Sequence, residues 1–198
     1  MAAWSSGSSA TGLVLWSSEV NELASRQQGA DYPRPIEMCY WVVPGKLLAG
    51  EYPRNIDEES SVQKMSALKD AGVSAFIDLT EPDEGLKPYT NLLEEQTHER
   101  FPIRDLGVPE SEQITDDILD AIDSHLEAGH VVYVHCWGGV GRTGTVVGCW
   151  LSRHYESGQA ALDRLRGLWQ SNPKSRMKLR SPETYAQECY VREWNDDD

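Results

Sequence analysis

A chain of 198 residues with 39% hydrophobic residues and seven tryptophans has the length and apolar content for one domain with its own core. Its net charge of −14 and pI near 4.7 speak against nucleic acid or anionic membranes as main partners. No apolar run reaches the ~20 residues of a membrane span, and the N-terminus lacks a signal-peptide pattern. The four cysteines, Cys39, Cys136, Cys149 and Cys189, show neither metal spacing nor the density of a disulfide scaffold, so a reducing cytoplasm is the expected setting.

Residues 1–12, rich in Ser, Ala and Gly, are expected to be disordered, and 13–28 carry enough apolar residues for a short helix. Tyr32-Pro33-Arg34-Pro35 then marks a boundary, giving a partly disordered extension at 1–35 and a folded domain at 36–195. Residues 39–43 and 46–49, joined by Pro44-Gly45, predict strand, turn and strand. Residues 60–70 predict a helix, with Val62, Met65 and Leu68 on one face and Gly72 ending it. A strand at 73–79 leads into a polar loop, 80–88, whose acids Glu81, Asp83 and Glu84 are either solvated or rim a site. Residues 89–97 predict a helix and 99–103 a short strand.

The segment 115–128 predicts an amphipathic helix with Thr115 as its N-cap, Asp116 and Asp117 complementing the helix dipole, and Gly129 ending it. Another helix is expected at 159–168, on Leu162, Leu165 and Leu168. Lys174, Arg176, Lys178 and Arg180 form a basic loop that is either simply solvated or, beside a pocket, attracts an anionic substrate. A last helix is expected from Ser181-Pro182-Glu183 to near Trp194, with Asp196-Asp197-Asp198 as a frayed tail. There is no internal repeat.

The most informative stretch is Val131-Val132-Tyr133-Val134-His135-Cys136-Trp137-Gly138-Gly139-Val140-Gly141-Arg142-Thr143-Gly144-Thr145-Val146-Val147. It reads as a buried β-branched strand, a glycine-rich loop, and a helix beginning near Arg142. Backbone N–H groups in such a loop, backed by a helix N-terminus, make an anion site. Cys136 sits at its mouth, where amide dipoles, the helix and Arg142 all favour a thiolate. The Arg142 guanidinium fork matches two phosphate oxygens. A nucleophile under a phosphorus atom, with amides and Arg142 on the oxygens, serves phosphoryl transfer through a phosphocysteine. Thr143 can donate to the Cys136 sulfur and help it leave.

Two other readings fit parts of the stretch. Gly139-Val140-Gly141-Arg142-Thr143-Gly144 matches the dinucleotide fingerprint G-x-G-x-x-G, but a helical pattern continues where a second strand with its acidic residue should follow. A buried structural cysteine on a tight turn explains neither Arg142 nor the glycines.

His135-Cys136-x5-Arg142-Thr143 resembles the signature of the cysteine-dependent protein tyrosine phosphatases. Extended through Gly144, Cys149 and His154-Tyr155, it is most similar to the dual-specificity branch. Tyr40-Trp41-Val42-x3-Lys46-Leu47-Leu48-Ala49-Gly50 resembles the opening of many dual-specificity phosphatases. The fold expected is α/β, a central, mostly parallel sheet flanked by helices.

The resemblance also implies roles. Asp105 lies 31 residues before Cys136 on a loop with Gly107 and Pro109, and Phe101-Pro102-x2-Asp105-x3-Pro109 resembles the family's general-acid loop. Without the resemblance, Asp105 could equally shape a turn; Asp78, Glu81 and Asp83 are the alternative acids. His135 is expected to order the cysteine through hydrogen bonds. Thr184-x2-Gln187 resembles the family's glutamine loop, which positions water for the second step. The loop Trp137, Gly138, Gly139, Val140 and Gly141, with Arg142, is expected to bind the phosphoryl group. Trp137 and Val140 stand where lipid-phosphatase relatives carry basic residues, which argues against highly charged inositol phosphates.

The expected activity is hydrolysis of a phosphate monoester on protein Tyr or Ser/Thr, without metal or cofactor. A phosphatase for lipid, nucleotide or sugar phosphates is one alternative. A catalytically silent phosphoprotein-binding module is another.

Overall fold

The computed structural model describes residues 32–155 and 157–194. The disorder and short helix expected before residue 32, and the acidic tail, lie outside the described residues. Among the described residues, five strands form one sheet in the order β1-β2-β5-β3-β4: β1 (Cys39–Val43), β2 (Leu47–Gly50), β3 (Val73–Asp78), β4 (Thr97–Arg100) and β5 (Val131–His135). Only β1 and β2 pair antiparallel, through the Pro44-Gly45 turn; the other pairings are parallel. The expected α/β architecture is therefore the one observed.

Alternation along β5 explains its central place. Val132 and Val134 face a core closed by four helices, α2 (Glu112–Glu127), α3 (Gly141–His154), α4 (Gln159–Trp169) and α5 (Tyr185–Glu193). Tyr133 faces the other side, where α1 (Glu58–Asp70) packs Met65 and Leu68 against Trp41, Leu48 and Phe76. Tyr32 stacks edge-on against Trp41 at 5.2 Å between centroids, and the Pro33 carbonyl accepts from Trp41 Nε1 at 3.0 Å. Among the described residues, no helix is long and apolar enough to cross a membrane.

Four elements differ from expectation. Residues 89–97 hold only a 3-10 turn at Thr90–Leu92. Tyr89, Leu92 and Leu93 instead cover the α1-side core from an irregular segment. The chain then enters β4 two residues early, because Thr97 and His98 pair with Ala75 and Phe76 on β3. Helix α2 starts at Glu112, since extended Ser111 accepts from the Ile114 N–H. Thr115 is buried one turn in, its hydroxyl 2.6 Å from that of Tyr190. Helix α5 starts at Tyr185, after a capping box in which extended Thr184 and Gln187 satisfy each other's backbone N–H.

Parallel strands β2, β3 and β5 end together. Gly50 and Asp78 both stand in register with His135, so the loop after β5 leaves the carboxyl edge of the sheet between two neighbours. In open α/β sheets this edge is where ligands bind.

Candidate active site

The loop from Cys136 to Val140 joins β5 to α3 and is held from outside by its carbonyls. The Trp137 carbonyl accepts from Tyr52 N at 2.9 Å, that of Gly138 from Lys174 Nζ at 2.7 Å, and that of Val140 from Ser181 Oγ at 2.8 Å. A carbonyl tied outward turns the N–H end of its peptide unit the other way. The Gly139 N–H points at the Cys136 sulfur, 3.3 Å away, and the cysteine is only 3% exposed. Gly139 has φ +69°, and a Cβ there would collide with the Gly50 carbonyl. Only glycine lets the loop press this closely on β2.

Beneath the loop, His135 is fully buried. Burial lowers its pKa from 6.5 to about 4, so the ring is neutral at pH 7. Its Nδ1 lies 3.3 Å from the Cys136 carbonyl and its Nε2 2.7 Å from the Tyr89 hydroxyl. A carbonyl can only accept, so the ring hydrogen sits on Nδ1 and Nε2 accepts from Tyr89. Asp78 is buried as well. Burial raises a carboxyl's pKa, but hydrogen bonds from His98 and Thr80 and the nearby His135 outweigh it and hold Asp78 well below its ordinary range. Its oxygens also take Arg100 Nη2 at 2.8 Å and Thr80 Oγ1 at 2.6 Å. This alternative acid is thus a structural carboxylate under the loop.

Arg142, in the first turn of α3, is 1% exposed. Its Nη1 donates to the Ile103 carbonyl at 3.1 Å and to Glu84 Oε1; its Nη2 reaches Glu84 Oε2 and Asp105 Oδ1, both at 3.0 Å. Glu84 therefore grips the guanidinium edge with both carboxylate oxygens, fork to fork. The Arg142 Nε–H is buried and has no hydrogen-bond partner among the described residues. A buried donor left open beside a glycine loop is positioned to take a substrate oxygen.

Asp105 stands at the rim with its side chain 56% exposed. Its N–H donates to Glu81 Oε2 at 3.3 Å, and the Glu81 N–H donates to Glu84 Oε1 at 2.7 Å. On the far side, Gln187 Nε2 donates to the Gly107 carbonyl at 2.8 Å. Buried Gln187 also lies against the loop's end, since a Cβ on Gly141 would be 2.9 Å from its amide.

Folding thus brings together Cys136, the loop Trp137, Gly138, Gly139, Val140 and Gly141, Arg142 and Asp105. Thr143 is close in sequence, but its buried hydroxyl makes no hydrogen bond among the described residues; the sulfur's partner is the Gly139 N–H instead. Glu84 and Lys174 were visible only as members of an acidic run and a basic loop, with no local signal of their contacts. Trp137, 56% exposed, stands between two clefts of about 830 and 560 Å³. Among the described residues, no group of three or more His, Cys, Asp or Glu could hold a metal ion.

Comparison with known proteins extends this picture. A candidate tyrosine phosphatase, 067L of Invertebrate iridescent virus 3, is 32% identical over 121 residues, covering 59% of this chain and 47% of that protein. The dual specificity protein phosphatase CDC14B of Mus musculus is 29% identical over 126 residues, covering 58% of this chain and 24% of that protein. The chain thus spans less than half the length of either relative. In fold, it is similar to the crystal structure of P. aeruginosa TpbA in complex with phosphotyrosine. That likeness has TM-score 0.59 at 16% identity, over 83% of this chain and 88% of that one. The match to a family model runs over residues 36–191, from the strand pair behind the loop to the helix carrying Gln187. By that match the chain belongs to the PTP-SAK family, the Swiss Army Knife protein DSP-PTPase phosphatase domain.

Proposed function

We propose that this domain hydrolyses phosphate monoesters on phosphorylated proteins, at Tyr or Ser/Thr, through a phosphocysteine. The Cys136 sulfur attacks phosphorus, and the P–O bond to the leaving group breaks. Loop N–H groups and Arg142 hold the equatorial oxygens as charge develops on them. Asp105 gives its proton to the departing oxygen. Water then attacks the phosphocysteine with Asp105 taking its proton, releasing phosphate and returning the thiolate. Gln187, bonded to the acid loop and packed on the phosphate loop, orients that water in this reading. In this reading Thr143 donates its hydroxyl to the departing sulfur. A reducing cytoplasm suits such a nucleophile.

The observation that carries this reading is a single convergence. The Cys136 sulfur faces a loop N–H, and Arg142 of the helix that follows the loop meets Asp105 at 3.0 Å. TpbA's bound phosphotyrosine is the ligand type that such a pocket accommodates. The test is hydrolysis of a generic aryl phosphate by wild type and Cys136→Ser, followed by a phosphopeptide panel. Wild type should turn over; Cys136→Ser should bind phosphate without turnover, because nothing in the loop activates a serine hydroxyl. Cys136→Ser within about tenfold of wild type would refute the covalent route.

A further inference from the structure

We infer that the cleft between Asp105 and Met177 is a docking groove for the polypeptide around the phosphorylated residue, and that it selects an apolar neighbouring side chain. This rests on the hydrolase reading above and names the substrate feature read beside the reaction centre.

Three large apolar side chains from three separate segments are exposed along this groove: Leu106 at 55%, Trp137 at 56% and Met177 at 73%. One exposed apolar residue is ordinary on a protein surface. Three converging on one concavity mark a binding surface. Leu106 also adopts φ +60°, the left-handed region that a leucine enters only at a cost. Strain at an exposed leucine next to Asp105 points to a functional position.

The groove is continuous with the phosphate loop, since Gly138, Val140 and Asp105 also line it. A chain whose phosphoryl group sits at Cys136 can therefore run along this wall. The groove's charges are already matched. Lys174 meets Glu51 at 3.0 Å and Lys178 pairs with Glu183, and all four residues line the cleft. A polyphosphorylated small molecule needs several free cations, whereas this wall offers apolar surface. Its complement is a peptide with Leu, Met or an aromatic residue beside the phosphorylated one.

The experiment compares two phosphotyrosine peptides, flanked by Leu or by Asp, with an aryl phosphate and an inositol polyphosphate, using wild type, Met177→Ala and Met177→Asp. Wild type should favour the Leu-flanked peptide roughly tenfold in kcat/KM, from apolar area covered. Met177→Ala should cut that preference several-fold and Met177→Asp should cut it further, with aryl phosphate turnover unchanged. Equal rates on the two peptides, a preference that neither variant moves, or faster turnover of the inositol polyphosphate would overturn the groove. Absence of aryl phosphate turnover would instead refute the hydrolase reading. The groove is then read by titrating both peptides into Cys136→Ser, where the Leu-flanked one must still bind more tightly.

Discussion

Lys174 donates from Nζ to the Gly138 carbonyl at 2.7 Å and to Glu51 Oε2 at 3.0 Å. Glu51 in turn accepts from Lys64 Nζ at 2.6 Å. An ammonium from the basic loop thus ties the back of the phosphate loop to α1. Lys174→Met should leave the Gly138 carbonyl without its charged donor and let that peptide unit rotate. Expected is a fall of about ten- to a hundredfold in kcat/KM with weaker inhibition by inorganic phosphate, the order set by one charge-assisted hydrogen bond. Lys174→Arg should recover part of both. Unchanged phosphate inhibition in the Met variant would make Lys174 a mere surface pair.

Glu84 is the fork partner of Arg142. Its removal should let the guanidinium drift from the geometry that phosphate oxygens require, without removing the charge. Glu84→Gln is expected to lose about tenfold in kcat, and Arg142→Lys several kcal/mol of transition-state binding, because a lysine is a point charge and not a planar fork. Steady-state kinetics on an aryl phosphate measures both. An Arg142→Lys enzyme with near-normal kcat/KM would make Arg142 structural.

Asp105→Asn should depend on the leaving group. Tyrosyl and alkyl oxygens need a proton as they depart; an activated nitrophenolate barely does. The variant should lose roughly 10²–10⁴-fold on a phosphopeptide and much less on the activated ester, the usual range for general acid catalysis. The basic limb of the kcat profile should flatten. Equal losses on both substrates with the basic limb intact would move the acid role to Glu81 or Asp83, since Asp78 is already fully bonded beneath the loop.

His135 makes stability depend on pH. Its folded pKa of about 4 lies below the ordinary 6.5, so the unfolded chain takes up the proton first as pH falls. The contribution is complete above pH 6.5 and is lost as pH drops toward 4, amounting to roughly 3 kcal/mol. Asp78, held below the carboxylate range, adds a further loss at still lower pH. Urea unfolding at pH 7 and pH 4.5 should show a steeper decline for wild type than for His135→Asn. The Asn variant should start lower, having lost the ring's bond to Tyr89. Parallel declines would mean that His135 is not the group titrating.

What was legible in the sequence was local. The β-branched run of β5, the glycines after it and the helix pattern from Arg142 onward are consecutive, so period and spacing reveal them. Cys136 and Arg142 lie six residues apart at the two ends of one loop-to-helix stretch, and their chemistry could be read without coordinates. Thr115 and residues 89–97 misled because caps and helical spacing compete with burial. Ser111 offered the better cap, and Tyr89 was drawn into the core by its hydrogen bond to His135.

Only the tertiary structure decided the rest. Strand order cannot be read from strands that share one apolar pattern. Glu84 meets Arg142 across 58 residues, Lys174 meets Gly138 across 36, and Gln187 reaches Gly107 across 80. No periodicity records such pairs, because each depends on which sheet edge and helix end the packed core sets side by side. The same packing decides between the two readings left open for the acidic run and the basic loop and makes both of them supports of the phosphate loop.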